Sequence, residues 1–202
     1  MPVAQVNGQK IHYHDTGGSG PAVVLSHGFL MDRTMFDAQV EVLAPKYRVI
    51  TWDERGFGDT EYDGKPFTYW DSARDCLGLM DHLGLSRAVL GGMSQGGFLS
   101  LRAALTSPER VTALVLIDTA ADNDGPEVLA GYRQMVDTWL SVGPVDDLVN
   151  IIATSLSLIQ KKIRSGLPSG RLDRKNFYFT PRVAYWNAMT SPLVSGRSPV
   201  LR

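Results

Sequence analysis

Ser94 stands in Gly92-Met93-Ser94-Gln95-Gly96, a G-x-S-x-G pentapeptide inside "LGGMSQGGFL" (90–99). A serine in that spacing is a candidate nucleophile for attack on a carbonyl. The glycines have a mechanical reason. A serine on a sharp strand-to-helix turn takes strained dihedrals, and bulky flanking residues would collide with the adjacent strand and helix. The turn lifts the hydroxyl above the sheet edge, and the N-terminus of the following helix favours a developing oxyanion. Alone the pentapeptide is a weak signal. Its context is stronger: "RAVLGGM" (87–93) reads as a strand and "GGFLSLRAAL" (96–105) as a helix ending near Pro108. The bland alternative is an idle serine in a glycine-rich turn.

A second stretch, "LSHGFL" (25–30), follows the short apolar run "PAVVLS" (21–26), which suits a buried parallel strand. Its turn falls at the same C-terminal sheet edge as Ser94, where ligands bind in open α/β sheets. The backbone N–H of Phe29, with that of Gln95, is expected to hold an oxyanion. Such a donor is typically worth about 3 kcal/mol of transition-state stabilisation. His27 fits a loop-shaping role better than that of a base. In "WDERGFGDT" (52–60), Asp53 and Arg55 are expected to tie the loop, with Gly56 and Gly58 allowing its turns. No G-K-[ST] follows, so a phosphate loop is not supported. Cys76 lies on an apolar helix face, where a cysteine packs as a small hydrophobe.

The elements around these residues follow from pattern. Asn7-Gly8 joins two strand-like runs as a tight hairpin. Residues 34–44 place Met35, Phe36, Val40 and Leu43 near helical spacing, and 47–53 is strand-like. Residues 68–84 form a helix opened by a Thr68/Asp71 capping-box pattern, with Ala73, Cys76, Leu77, Met80 and Leu83 on one face. "VTALVLI" (111–117) reads as another buried strand. Strands alternating with helices imply an α/β fold with a mostly parallel, doubly wound sheet. After Asp118 two helical patterns, 126–142 and 146–164, follow with no strand between them, as in an inserted cap. The expected organisation is a core over 1–121, a helical cap over 122–194 that is hard to assign after 166, and the start of a further strand over 195–202. Tyr132, Met135 and Trp139 are expected to wall a pocket for a partly apolar small molecule, or else to pack cap on core.

Composition narrows the partners. The 202 residues are 44% hydrophobic and 20% charged, with net charge −1, so no bulk electrostatic case exists for nucleic acid or an anionic membrane. Charge is uneven: residues 1–153 hold 11 Lys and Arg against 20 Asp and Glu, whereas residues 154–202 hold nine against Asp173 alone. A basic cap or tail, or an atypical or out-of-frame end, accounts for this. One cysteine fits a reducing compartment. No apolar h-region stands at the N-terminus, and no apolar run approaches the ~18 residues of a membrane span. The expectation is a cytoplasmic protein without metal or cofactor, whose oligomeric state is open.

Strand-His27-Gly28-Phe29, then Asp53-x-Arg55-Gly56-x-Gly58, then Gly92-x-Ser94-x-Gly96-Gly97, then "PERVTALVLID" (108–118) together resemble the α/β-hydrolase superfamily over about residues 5–121. The likeness is greatest to the branch with enol-lactonases, perhydrolases, carbon–carbon bond hydrolases and proline iminopeptidases. It implies an eight-stranded sheet, a cap after strand six and a Ser–His–acid triad without cofactor. Epoxide hydrolases share the scaffold but use an aspartate where this chain has Ser94.

The implied triad order is serine, acid, histidine. All four histidines here, His12, His14, His27 and His82, precede Ser94. Asp118, at the end of the sixth strand, is the alternative acid. Without a base a serine hydroxyl is a poor nucleophile at neutral pH, and the oxyanion hole and binding alone retain roughly 10³–10⁴-fold over water. The expectation is a chain that stops short of, or loses register before, strands seven and eight, with Ser94 placed but weakly active. The rival class is a non-catalytic protein that keeps the scaffold for binding.

Overall fold

Asn7 and Gly8 take φ of +48° and +78° and fold β1 (Val3–Val6) back on β2 (Gln9–Asp15). Positive φ at both central positions is what a two-residue hairpin turn requires. The structure is a computed structural model that describes residues 1–121 and 125–142. The remaining strands are β3 (Ala22–Ser26), β4 (Arg48–Trp52), β5 (Ala88–Met93) and β6 (Val111–Ile117). The helices are α1 (Asp37–Leu43), α2 (Tyr69–His82), α3 (Gln95–Thr106) and α4 (Pro126–Val142). They form one sheet in the order β1-β2-β4-β3-β5-β6. The first two pairings are antiparallel and the other three parallel.

Both faces of the sheet are covered at its centre, and β3 shows why its sequence is apolar throughout. All five of its residues are buried. Val24 joins Ile50, Trp52, Leu90 and the apolar sides of α2 and α3, including Leu79, Met80 and Leu99. Its neighbours Val23 and Leu25 point the other way, into a cluster with Phe36, Val49, Val40 and Leu43 from the α1 side. Alternate residues of one strand thus feed two cores, the period of two expected of a strand. α2 opens on the anticipated capping box. The Thr68 side chain accepts from the Asp71 N–H at 3.3 Å, and the Thr68 N–H donates back to the Asp71 carboxylate at 2.7 Å.

The helical pattern at 34–44 resolves into a 3-10 turn (Arg33–Phe36) followed by α1. The 3-10 turn begins at Asp32, whose carboxylate accepts from the Thr34 N–H at 2.8 Å. β6 corrects the reading of a buried strand. Val115 and Leu116 are 46% and 45% exposed. Among the described residues β6 is paired only with β5, so its outer edge and much of its side-chain surface are uncovered. α4 has the anticipated limits, with Val136 buried and Leu129, Tyr132 and Met135 half-buried along one face. The side chain of Trp139, the pattern at 146–164 and the strand expected over 195–202 lie outside the described residues.

Candidate active site

Ser94 follows β5 and precedes α3 with φ +50° and ψ −111°, a conformation sparsely populated by side-chain-bearing residues. Backbone ties hold it there. Its N–H donates to the Ile117 carbonyl at 2.9 Å. Its carbonyl accepts from the Gly97 N–H at 2.9 Å, the Phe98 N–H at 3.1 Å and the Thr119 hydroxyl at 2.8 Å. The glycines around it are set by close approach. A Cβ on Gly96 would lie 2.6 Å from the Ser26 carbonyl carbon and 2.7 Å from the His27 oxygen. A Cβ on Gly92 would lie 2.5 Å from the Gly97 nitrogen, and one on Gly97 would lie 2.6 Å from the Thr119 hydroxyl oxygen. The first turn of α3 therefore rests on the end of β3.

That contact brings the His27–Phe29 turn beside the elbow. Ser26 is in register with Gly92, so the two strands end at the same height. Gln95 is the first residue of α3, where the N–H groups have no intrahelical acceptor. Phe29 is half-buried and meets Phe57 edge to face at 6.2 Å between ring centres. On the other side of β5, Ile117 pairs with Met93 and puts exposed Asp118 at the level of Ser94. Leu30, Ser94 and Asp118, three of the four non-glycine residues with positive φ among those described, follow β3, β5 and β6. Backbone strain thus concentrates at the C-terminal edge of three neighbouring parallel strands, where ligands of open α/β sheets bind.

His27 is fully buried, and both ring nitrogens are engaged by backbone. Nε2 accepts from the Glu54 N–H at 3.1 Å, so the proton sits on Nδ1 and is donated to the Gly28 carbonyl at 2.8 Å. Burial pushes its pKa below the usual imidazole value. The ring locks two loops together and has no lone pair left for a serine proton. His12 and His14 belong to β2, which is separated from β5 by β4 and β3. Three strand spacings are about 14 Å, beyond reach of Ser94. His82 ends α2, just before the chain enters the opposite end of β5, and packs on Tyr13. Among the described residues no imidazole is available to Ser94.

The loop after β4 is held by charge. Asp53 pairs with the Arg33 guanidinium and accepts from the N–H groups of Arg33 at 2.8 Å and Asp59 at 3.0 Å. Gly58 lies so close that a Cβ there would be 2.7 Å from even the farther carboxylate oxygen. Arg55 forms a two-pronged pair with buried Asp75 at 2.6 and 2.7 Å, and Asn7 donates to the same carboxylate at 3.1 Å. Cys76 is buried, and burial pushes its thiol well above the ordinary range. It is inert as a nucleophile. Two features had no signal in the sequence. Glu54, in a polar loop, is fully buried and accepts from Gln95 Nε2 at 3.1 Å. Thr119, just past the end of β6, braces the Ser94 carbonyl.

A mixed, mostly parallel sheet with helices packed on it, and a strained serine between a central strand and a helix, is the architecture of the α/β-hydrolase fold. The family model described as "alpha/beta hydrolase fold" matches residues 21–197, and the chain belongs to that family. The hydrolase YugF of Bacillus subtilis is 30% identical over 171 residues, covering 80% of this chain and 62% of the relative. Epoxide hydrolase 2 of Siraitia grosvenorii is 38% identical over 135 residues, covering 64% of this chain and 42% of the relative. The enol-lactonase from Burkholderia xenovorans superposes with a TM-score of 0.70 at 27% identity, over 95% of this chain and 74% of that one. The chain thus spans about half of the length of the curated relatives it matches. Among the described residues no group of three or more His, Cys, Asp or Glu is arranged to hold a metal, and no helix is long and apolar enough to cross a membrane.

Proposed function

We propose that Ser94 is the nucleophile of a hydrolase acting on small, partly apolar carbonyl compounds: esters, lactones, or carbon–carbon bonds next to a carbonyl. The observation that carries this is the conformation of Ser94 itself, φ +50° with ψ −111°, retained at the start of α3. Strain of ~1–3 kcal/mol persists where surrounding structure over-determines it, and such positions cluster at active sites. In the ester case Ser94 Oγ attacks the carbonyl carbon and its proton passes to a base. The resulting oxyanion is held by the Phe29 and Gln95 N–H groups. Collapse expels the alcohol with that proton, and water cleaves the acyl-serine in a second round. Asp118, level with Ser94, is the alternative acid for orienting such a base. Serine at this position favours this chemistry over the aspartate nucleophile of epoxide hydrolases. Tyr132 and Met135 of α4 supply apolar wall for the substrate. The protein so read is cytoplasmic.

His27 is committed to backbone and no histidine follows Ser94 in the 202 residues. Acylation of this chain is therefore slow. The test is exposure of the 202-residue chain and of Ser94→Ala to a fluorophosphonate probe, with and without added imidazole, followed by peptide mapping. Slow labelling confined to Ser94 and accelerated by imidazole is expected. Equal labelling of Ser94→Ala, or none even with imidazole, refutes the reading and favours a scaffold kept for binding.

A further inference from the structure

Glu54 carries a buried oxygen that the site as described does not use. Its Oε2 accepts from Gln95 Nε2 at 3.1 Å, whereas its Oε1 is buried with no hydrogen-bond partner. Gln95 Oε1 is in the same condition. An ionised Glu54 leaves two buried acceptors facing no donor, one of them charged, and each such group costs about 1–3 kcal/mol or more. A single proton on Glu54 Oε1 satisfies both. It turns that oxygen into a donor, and Gln95 Oε1 is the acceptor left over in the same pair of planar groups.

We propose that Glu54 is a neutral acid joined to the Gln95 side chain by two reciprocal hydrogen bonds, and that it acts as the positioning residue for the Gln95 backbone N–H of the oxyanion hole. The positioning role rests on the serine-hydrolase reading above; the proton on Glu54 does not. The surroundings favour the neutral form. Burial raises the carboxyl well above its ordinary range, against the lowering effect of the Gln95 bond, and the nearby Asp75 and Asp53 charges raise it further. Arg55 is next in the chain, but its guanidinium is spent on Asp75. His27 accepts from the Glu54 N–H through a neutral ring, and the Cys76 thiol, pushed up by burial, is uncharged. The arginines of α2 and α3 are engaged elsewhere: Arg74 pairs with Asp71, and Arg102 lies over the Tyr69 and Trp70 rings at 5.4 and 5.5 Å. Because the Gln95 side chain is buried and leaves the first residue of α3, anchoring it sets the direction of the helix's first N–H groups.

The test uses the 202-residue chain and its variants Glu54→Gln and Glu54→Ala. Glutamine keeps a donor and an acceptor in the same plane, so it preserves both bonds without a titrating group. Infrared difference spectra at pH 7, with glutamate carboxyl carbons isotopically labelled, are expected to show a neutral-acid carbonyl stretch in the native chain that Glu54→Gln lacks. A group whose folded pKa lies above its unfolded value of 4.5 binds more protons folded than unfolded, so its stabilising effect is lost as pH rises above that value. Unfolding midpoints should therefore match between native chain and Glu54→Gln near pH 4.5 and separate toward pH 8, with the glutamine variant the more stable. Exchange of the buried Gln95 side-chain amide protons should be unchanged in Glu54→Gln and about tenfold faster or more in Glu54→Ala. Absence of the acid stretch, or parallel pH profiles, overturns the neutral acid. Equal Gln95 exchange in all three chains overturns the positioning role. If Glu54→Ala fails to fold, the comparison passes to Glu54→Asp, whose shorter arm breaks the same pair. None of these readouts involves turnover, so failure of the labelling test would strike the serine-hydrolase reading separately.

Discussion

Gly96→Ala tests whether the elbow is built by backbone proximity. The new Cβ would sit 2.7 Å from the His27 oxygen and 2.6 Å from the Ser26 carbonyl carbon, whereas ordinary contact begins at 3.4 Å. These atoms are backbone, so no side chain can swing aside. The Ser26 carbonyl oxygen is closer still, so α3 must withdraw from β3 by more than roughly 0.8 Å, in a region where Gln95, Leu99 and Ser100 are already buried. Overpacking of this kind costs about 1–3 kcal/mol and sometimes more, and immovable atoms put Gly96→Ala at the upper end. The same shift carries Ser94 and the Gln95 N–H away from the Phe29 turn, and misplacement by about 1 Å can cost 10²-fold in rate. Urea unfolding with Gly131→Ala as control is the assay. Gly131 lies within α4 with nothing within 4 Å of its Cβ position, so alanine there should be neutral or stabilising by about 0.5–1 kcal/mol. A Gly96→Ala chain that unfolds at the native midpoint with an unchanged slope would refute the account.

Other substitutions probe the remaining joints. Ser94→Gly should be about 1 kcal/mol more stable than Ser94→Ala by thermal unfolding, since both lose the hydroxyl and only glycine adopts φ +50°, ψ −111° without strain; equal stabilities would mean that the residue relaxes. His27→Ala strands the Glu54 N–H and the Gly28 carbonyl, and should cost about 3 kcal/mol in urea unfolding. Because burial lowers the His27 pKa below 6.5, the folded chain binds fewer protons there than the unfolded one, so this residue's contribution to stability is lost as pH falls below 6.5. The native chain should therefore lose stability relative to His27→Gln between pH 6.5 and 5, and parallel curves would count against a neutral buried ring. Arg55→Ala leaves the Asp75 carboxylate buried without its partner and should cost about 3–5 kcal/mol, largely recovered when Asp75→Asn is added; additive losses in the double variant would show that the pair acts elsewhere.

The parts legible in the sequence are those that a few neighbouring residues decide. Asn7-Gly8 has one good use between two strand-like runs, and Thr68 with Asp71 closes a capping box across three positions. Both appear as read. The apolar run Ala22–Ser26 announces burial on two sides because each alternate residue meets a different core. β6 breaks this rule for a reason its own residues cannot carry. Val111–Ile117 is as apolar as β3, but burial belongs to whatever lies alongside, and among the described residues that is β5 alone.

Glu54 marks the opposite failure. A glutamate between Asp53 and Arg55 in a glycine-studded loop reads as solvated, and nothing within ten residues says otherwise. It is buried because His27, 27 positions earlier, takes its N–H, and Gln95, 41 positions later, takes its side chain. The glycines stand between these extremes. Gly92, Gly96 and Gly97 announce that something approaches closely, while the partners, their own turn, Ser26 with His27, and Thr119, are spread along some ninety residues. A motif therefore records a demand for space and leaves the occupant unnamed. Here the occupants are the ends of β3 and β6, the strands on either side of β5. The strain at Ser94 is thus imposed from both neighbours at once, and loosening either alone should leave the other still holding the serine carbonyl or the start of α3. On that logic Thr119→Val, which deletes one hydrogen bond to the Ser94 carbonyl at 2.8 Å, should disturb the elbow far less than Gly96→Ala, because two helix N–H groups still hold the same oxygen.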